Sequence, residues 1–238
     1  MPVNRRSALK FGGMALLGAA LGPARSVRAA GDSLIIAYPI DVPHWDPEGQ
    51  TGGPPMSILN CVFDSPMGQS PDMKLVPKAV AEWRWAPDKM SLDLRLRDDI
   101  YFHNGDKLTT QDLKYTYDRY QTEKLPQMGT FRRVKEIVVK SETEATFVLA
   151  LPTATLPARL AIFGSGIIPK AYVERVGMAA FREHPIGSGP YKLVSHTRDS
   201  RIVFEAFDRY WGGKPPIKNV TFEIVKDPTV RVAAIESG

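Results

Sequence analysis

Four histidines and one cysteine are the side chains of this sequence best suited to metal binding or nucleophilic chemistry. His44, His103, His184 and His196 are scattered, with no pair at helical or strand spacing, and Cys61 is far from all of them. The His-Glu-x-x-His pattern is absent, so we expect solvated or capping histidines and no metal site. A single cysteine allows no intrachain disulfide, and we expect Cys61 to be a small buried apolar residue.

Three other short patterns suggest chemistry, and each lacks a part that the chemistry requires. The Gly-Ser-Gly turns at 164–166 and 187–189 do not match the Gly-x-Ser-x-Gly turn of many hydrolases. The stretch 213–215, Gly-Lys-Pro, lacks the earlier glycine and the following Ser or Thr of a phosphate loop. Asp98 and Asp99 point to opposite faces if they lie on a strand. We therefore expect no catalysis and no cofactor.

The first thirty residues have the pattern of an export signal. Arg5 and Arg6 precede an apolar run over 11–22, and small residues follow up to Ala29 and Ala30. This run is shorter than the ~20 residues that span a bilayer, so it predicts a cleaved signal and not an anchor. The paired arginines favour the twin-arginine route. No cysteine follows the run, and we expect a periplasmic protein that is soluble and not lipid-anchored.

The basic character of the chain comes from this leader. The formal net charge is +5, but five of the 31 Lys and Arg residues lie within 1–29, where there is no Asp or Glu. The remaining 26 basic residues balance 26 acidic ones. The charge therefore does not predict a nucleic-acid partner.

Alternating apolar residues and turn residues predict most of the strands and helices. Leu92, Leu94 and Leu96 alternate with charged residues and predict a half-buried strand. Thr109 and Asp112 form an acidic capping box that begins a helix. Further strands are predicted at 34–38, 138–140, 146–151, around 191–193, around 202–204 and at 220–225, and further helices at 56–63 and after Asp227.

A turn followed by a hairpin is the most informative feature of the second half. Gly187 and Gly189 are expected to adopt backbone angles closed to other residues, and Pro190 suits the first residue of a strand. The Tyr-Trp pair at 210–211 then supplies a large apolar anchor before a glycine turn at 212–213.

These patterns resemble the peptide/nickel class, family 5, of extracytoplasmic solute-binding proteins that feed ABC importers. The turn at 185–191 and the Tyr-Trp-Gly-Gly stretch at 210–213 resemble one family signature, with Ser188 in place of the usual Thr. The block 75–119, with Phe-His-Asn-Gly-Asp at 102–106, resembles a second. Two long signatures in this order are far more specific than one short motif. We expect their residues to be scaffold and not ligand contacts.

The resemblance implies an α/β fold of the two-lobed periplasmic-binding-protein type II, with a small extra α+β domain. We expect the signal peptide at 1–29, the opening strand and loop of the first lobe at 30–60, the small extra domain at 61–167 and the rest of the first lobe at 168–238. The second lobe is expected to be missing, so that the chain is an amino-terminal fragment with exposed sheet edges and weak affinity for solute.

The resemblance also implies a function without chemistry: capture of a small solute by lobe closure and its delivery to a membrane permease. Peptides are the expected solute, with a nickel chelate or a sugar oligomer as alternatives. The ligand-binding loop is expected to contain Asp41, His44 and Trp45. Asp41 offers a carboxylate to a cationic group, and Trp45 either faces the ligand or packs into the lobe. The expected partners are permease subunits and the twin-arginine translocase. A periplasmic enzyme exported by the twin-arginine route is the alternative from another class.

Overall fold

The computed structural model describes residues 32–49, 53–126, 128–162 and 165–237. Residues 31–238 form one compact unit. The predicted export signal, including Arg5 and Arg6, lies outside the described residues.

Ten strands and seven helices are described, together with a short 3-10 helix at Pro47–Gly49. The strands are β1 (Ser33–Tyr38), β2 (Met67–Gln69), β3 (Leu75–Pro77), β4 (Val80–Trp85), β5 (Ser91–Leu96), β6 (Val134–Val139), β7 (Glu144–Leu149), β8 (Tyr191–Thr197), β9 (Arg201–Ala206) and β10 (Asn219–Ile224). The helices are α1 (Gly53–Val62), α2 (Thr110–Thr122), α3 (Met128–Phe131), α4 (Leu156–Arg159), α5 (Lys170–Val176), α6 (Met178–Glu183) and α7 (Pro228–Ser237).

The first sheet has the strand order β1-β10-β9-β8. β1 runs parallel to β10, and the other neighbours are antiparallel. Along β9, Ile202 and Phe204 are buried whereas Arg201 and Glu205 are exposed, as a strand with one face on a core requires. Buried residues of α1 complete this core. The predicted opening strand, the hairpin and the strand after residue 219 are confirmed.

β1 lies at an edge of this sheet, with β10 as its strand neighbour within the described residues. Leu34 is 40% exposed and Ile35 is 66% exposed. An exposed apolar edge strand offers unpaired backbone groups and apolar side chains to another chain. β1 is therefore an exposed edge strand among the described residues, whereas the loss of strand neighbours through a missing second lobe stays a prediction.

The second sheet has the order β4-β5-β7-β6 and is antiparallel throughout. The three leucines of β5 are buried and its charged residues are exposed, which confirms the predicted half-buried strand. α2 contributes Leu113, Tyr117 and Tyr120 to the same core. The capping box forms as predicted: Asp112 Oδ2 accepts a hydrogen bond from Thr109 N at 2.8 Å. The division into lobe and small domain at residues 61 and 167 stays a prediction.

The two sequence signatures contact each other through His103. His103 N donates to Gly187 O at 2.8 Å, and Gly187 N donates to His103 Nδ1 at 3.3 Å. Because Nδ1 accepts, the neutral ring carries its proton on Nε2, which lies 3.0 Å from Gly189 O. The expectation of a solvated or capping histidine is wrong here. The partner turn lies more than 80 residues along the chain, where local spacing cannot indicate it.

The two glycines of that turn are needed for a reason other than the one predicted. Neither Gly187 nor Gly189 has φ in the left-handed region. A Cβ on Gly187 would lie 2.0 Å from Val62 O, and one on Gly189 would lie 2.6 Å from Val62 C. The turn therefore requires glycine because it packs directly against the end of α1. Positive φ does occur in the later turn, at Gly213 (94°).

Asp64 connects the turn with the Tyr-Trp anchor. Its fully buried carboxylate accepts hydrogen bonds from Ser188 Oγ (3.1 Å), Tyr210 OH (3.2 Å) and Trp211 Nε1 (2.8 Å), and Lys78 Nζ lies 3.3 Å away. One buried acceptor thus fixes side chains from both parts of the signature. This arrangement supports the expectation that the signature residues are scaffold.

Candidate functional site

The loops that follow the two parallel strands, β1 and β10, meet at one edge of the first sheet. This edge is formed by the carboxyl ends of the strands and is not the edge along β1. Val225 N, just after β10, donates to Tyr38 O at the end of β1 at 2.8 Å. In open α/β sheets, ligands bind in the crevice outside the carboxyl ends of the strands. The predicted ligand-binding loop at 41–45 follows β1 and lies at this edge.

A depression of about 480 Å³ is found at this edge. Its lining residues come from the loop after β1, from the β8–β9 turn and from the segment after β10: Pro39, Ile40, Asp41, Val42, Pro43, Arg198, Asp199 and Lys226. Lys226 Nζ lies 2.7 Å from Asp199 Oδ1, and Arg198 Nη1 donates to Pro43 O at 3.0 Å. The lining therefore offers both charge signs beside apolar surface. We call it the mixed-charge edge.

Asp41 is held by three hydrogen bonds. Its carboxylate accepts from Val42 N (2.7 Å), His196 Nε2 (2.8 Å) and Asp199 N (2.8 Å). Its side chain is 11% exposed. These contacts fix the loop to the β8–β9 hairpin and occupy most of the lone pairs of the carboxylate. The role of Asp41 towards a cationic ligand group stays a prediction.

Trp45 packs into the lobe, which is the second of the two alternatives that the sequence left open. It is 1% exposed, and its ring makes edge contacts with Phe204 and His196 at centroid distances of 6.0 and 5.6 Å. Its Nε1 donates to His196 Nδ1 at 3.2 Å. The indole therefore offers no open face to a ligand in this structure.

His196 is not a solvated or capping histidine, contrary to expectation. An indole N–H can only donate, so His196 Nδ1 must accept and Nε2 carries the proton that is donated to Asp41. Trp45, His196 and Asp41 thus form a directed chain of hydrogen bonds. It couples the buried part of the loop to the mixed-charge edge.

His44 is partly buried, and its Nδ1 accepts from Asp46 N at 3.3 Å. Burial lowers the pKa of His44 from 6.5, and this effect outweighs the attraction of Asp46 for the protonated ring. His44 is therefore mainly neutral at neutral pH. Its contact with a ligand stays a prediction.

The buried charge cluster consists of the buried side chains of Asp46, Glu48 and Arg119 together with the partly exposed side chain of Arg182, and it anchors the loop. Arg119 Nη2 and Arg182 Nη2 donate to Asp46 Oδ2 at 2.8 and 2.9 Å, and Arg119 Nη1 donates to Glu48 Oε2 at 2.7 Å. Burial alone would raise the pKa of Asp46, but these hydrogen bonds hold it well below its usual range. Burial raises the pKa of Glu48 well above its usual range. The cluster joins the loop to α2 and α6.

Arg198, Asp199 and Lys226 were not predicted as site residues. The signal that could have indicated them is positional: two follow β8 in a hairpin turn and one follows the strand beside β1.

Cys61 is partly buried, and burial raises the pKa of its thiol to about 11. In the described part of the chain, no three His, Cys, Asp or Glu side chains are grouped so that they could hold a metal ion. None of the helices described is long and apolar enough to cross a membrane.

The described residues thus form an α/β unit in which the loops after β1, β8 and β10 meet beside one depression. Residues 74–238 match the family described as bacterial extracellular solute-binding proteins, family 5 Middle, and the chain belongs to that family. The family and the α/β fold expected from the sequence are both confirmed.

The chain is similar to curated proteins that are considerably longer. It is 28% identical to the dipeptide-binding protein of Escherichia coli over 186 residues, which are 68% of this chain and 35% of that protein. It is 25% identical to the nickel-binding periplasmic protein of E. coli over 222 residues, 88% of this chain and 40% of that protein. The chain thus spans less than half the length of these relatives.

Two solved structures show the same fold. The oligopeptide-binding protein AppA from Bacillus subtilis, in complex with a nonapeptide, has a TM-score of 0.79 at 23% identity, covering 87% of this chain and 43% of that one. MoaA from Agrobacterium tumefaciens R10, in complex with mannopinic acid, has a TM-score of 0.82 at 20% identity, covering 88% and 44%.

Proposed function

We propose that this chain belongs to an extracytoplasmic receptor that captures a small solute by lobe closure and delivers it to the permease of an ABC importer. Ligand would favour the closed form by binding it more tightly than the open form. The chain contributes one wall of the cleft. Peptides are the proposed solute class, and the proposed function involves no chemical step.

The mixed-charge edge is the observation that carries this proposal. A peptide is a zwitterion with an apolar body, and the edge offers Lys226, Arg198 and Asp199 beside Pro39 and Ile40. A site of a few placed charges in apolar surroundings is typical of small-molecule pockets. The names of the dipeptide-binding and oligopeptide-binding relatives agree with this solute class.

The test uses the protein expressed in full from its own gene. Calorimetric titration with a pool of di- and tripeptides should give saturable binding, and Lys226→Gln should weaken it by about tenfold, the loss of one charge-assisted contact. Lys74→Gln is the matched control, because Lys74 is an exposed ion-paired lysine outside the edge. Equal weakening in both variants would contradict the assignment of the edge. Binding of a nickel chelate or a sugar oligomer in place of peptides would overturn the solute class.

We further propose that the chain reaches the periplasm by twin-arginine export without a lipid anchor. Arg5 and Arg6 before a short apolar run support this route. Replacing both residues with Lys should stop export and leave synthesis unchanged. Delivery of the Lys-Lys variant to the periplasm in a strain without the twin-arginine translocase would contradict the proposal.

A further inference from the structure

Three arginines line one cavity near the start of β6 and around α4. The cavity has a volume of about 240 Å³ and is lined by Gly129, Thr130, Arg132, Arg133, Pro152, Thr153, Ala154, Thr155 and Arg159. No acidic side chain is among them. Every Asp and Glu of the sequence lies in the described part of the chain, and in that part none forms an ion pair with Arg132, Arg133 or Arg159.

Arg159 is held in place before any ligand arrives. Its Nη1 donates to Thr130 O at 2.6 Å and its Nε donates to Thr155 Oγ1 at 3.1 Å. These two bonds fix the plane of the guanidinium, and Nη2 has no acceptor within the described residues. The Thr155 hydroxyl accepts from Arg159 and keeps its own proton to donate. The cavity thus contains a fixed donor group of the kind that binds oxyanions.

The local charge is unusual for this protein. Outside the leader, acidic and basic residues balance, so the three arginines form a local excess of positive charge. Like charges grouped around one cavity repel each other, and a bound anion relieves that repulsion. Arg132 and Arg133 are exposed and can reach an anion from the mouth of the cavity.

We propose that this cavity binds a phosphate-class oxyanion, with Arg159 as the fixed donor and Arg132 and Arg133 as the closing donors. A guanidinium presents paired N–H groups that match two oxygens of a tetrahedral anion. The volume corresponds to roughly eight water molecules, which is enough for the anion and part of its hydration shell. The cavity shares no lining residue with the mixed-charge edge, so it is a separate site.

Two sources carry this chemistry: free phosphate and the headgroup phosphate of a membrane lipid. The test uses the full 238-residue chain at low ionic strength, where charged contacts are least screened. One arm titrates inorganic phosphate and follows amide NMR shifts. The other measures sedimentation with phosphatidylglycerol vesicles and with phosphatidylcholine vesicles.

The variant Arg132→Gln/Arg133→Gln removes the closing donors and leaves the two bonds of Arg159 intact, so the fold is not challenged. Arg84→Gln/Arg201→Gln is the matched control, because it removes the same charge from exposed positions outside the cavity. Arg159→Gln, with its fold checked by circular dichroism, removes the fixed donor.

We expect the Arg132/Arg133 variant to bind phosphate or phosphatidylglycerol vesicles about tenfold more weakly than the wild type, and the control variant to bind unchanged. Arg159→Gln should abolish the remaining binding. Loss in the phosphate arm identifies a free oxyanion as the source, and loss in the vesicle arm alone identifies the headgroup. The proposal is overturned if the wild type and the Arg132/Arg133 variant bind equally in both arms. It is also overturned if the control variant loses as much binding as the Arg132/Arg133 variant.

Discussion

At the scale of single residues, contacts between distant segments set which ring nitrogen accepts a hydrogen bond in two histidines. Gly187 N donates to His103 Nδ1, and Trp45 Nε1 donates to His196 Nδ1. Each ring accepts at Nδ1, so Nε2 is the nitrogen that donates in each ring. Protonation of His103 would place an N–H at Nδ1 against the N–H of Gly187, and this contact would be lost.

His103 should therefore make the stability of the protein depend on pH. Burial lowers the pKa of His103 from 6.5 to about 4. The unfolded chain takes up this proton at higher pH than the folded protein does. The contribution of neutral His103 to the free energy of unfolding is thus complete above pH 6.5, declines as the pH falls and is lost below about pH 4. We expect a decrease of up to about 3 kcal/mol in the free energy of unfolding over this window.

Urea unfolding at several pH values between 7.5 and 4.5 measures this contribution. His103→Gln should be less stable than the wild type at pH 7.5 and should approach it at pH 4.5. His184→Gln is the control, because His184 is exposed. The opposite contribution of Glu48, whose raised pKa stabilises the fold in acid, is common to all three proteins and cancels. If the difference in free energy of unfolding between the wild type and His103→Gln were the same at every pH, His103 would not titrate as described.

At the scale of elements, the sequence predicts those whose pattern is local and long enough. The leucines of β5 repeat over a whole strand, and the capping box of α2 lies within four residues. β2, β3, α3 and α4 have only three or four residues each, which is too short for a periodic pattern. Their form is set by neighbours that are distant in the sequence.

For the candidate site, too, the sequence predicts the part that is local and not the contacts between distant segments. Its first loop follows a recognisable strand, whereas Asp199 contacts Asp41 across 158 positions through the pairing of β1, β10 and β9. No local pattern encodes that contact. Close packing cannot be predicted from the sequence for the same reason. Gly189 is required because it packs against Val62, which lies in another element.

Gly189→Ala tests the packing of the signature turn on α1. The added methyl carbon would lie 2.6 Å from the backbone of Val62, and Gly189 N already donates to Val62 O at 2.8 Å. Because backbone must move, we expect a loss of about 1–3 kcal/mol in the free energy of unfolding. Gly129→Ala in α3 is the control, since its methyl group would meet nothing within 4 Å. Thermal unfolding that gave equal stabilities for the two variants would refute the packing argument.

At the scale of the whole molecule, the buried charge cluster ties the loop of the first sheet to the helix that covers the second. Arg119 should be essential to this connection, because its removal leaves Asp46 and Glu48 buried without their main cation. We expect Arg119→Leu to lose about 3–5 kcal/mol in denaturant unfolding. Arg95→Leu, which breaks an exposed pair with Glu82, should lose less than about 1 kcal/mol. Similar losses in both would contradict the proposed role.

The exposed edge of the first sheet should control how the chain associates. Ile35 is 66% exposed on β1, and a strand with a free apolar edge pairs readily with a second copy. We expect the 238-residue chain to self-associate as its concentration rises in size-exclusion chromatography with light scattering. Ile35→Lys should reduce this association, because a charge on the edge opposes strand pairing. Met73→Lys adds the same charge at a residue that is 70% exposed in a turn, and it should leave association unchanged. If both variants reduce association equally, net charge and not the β1 edge is responsible.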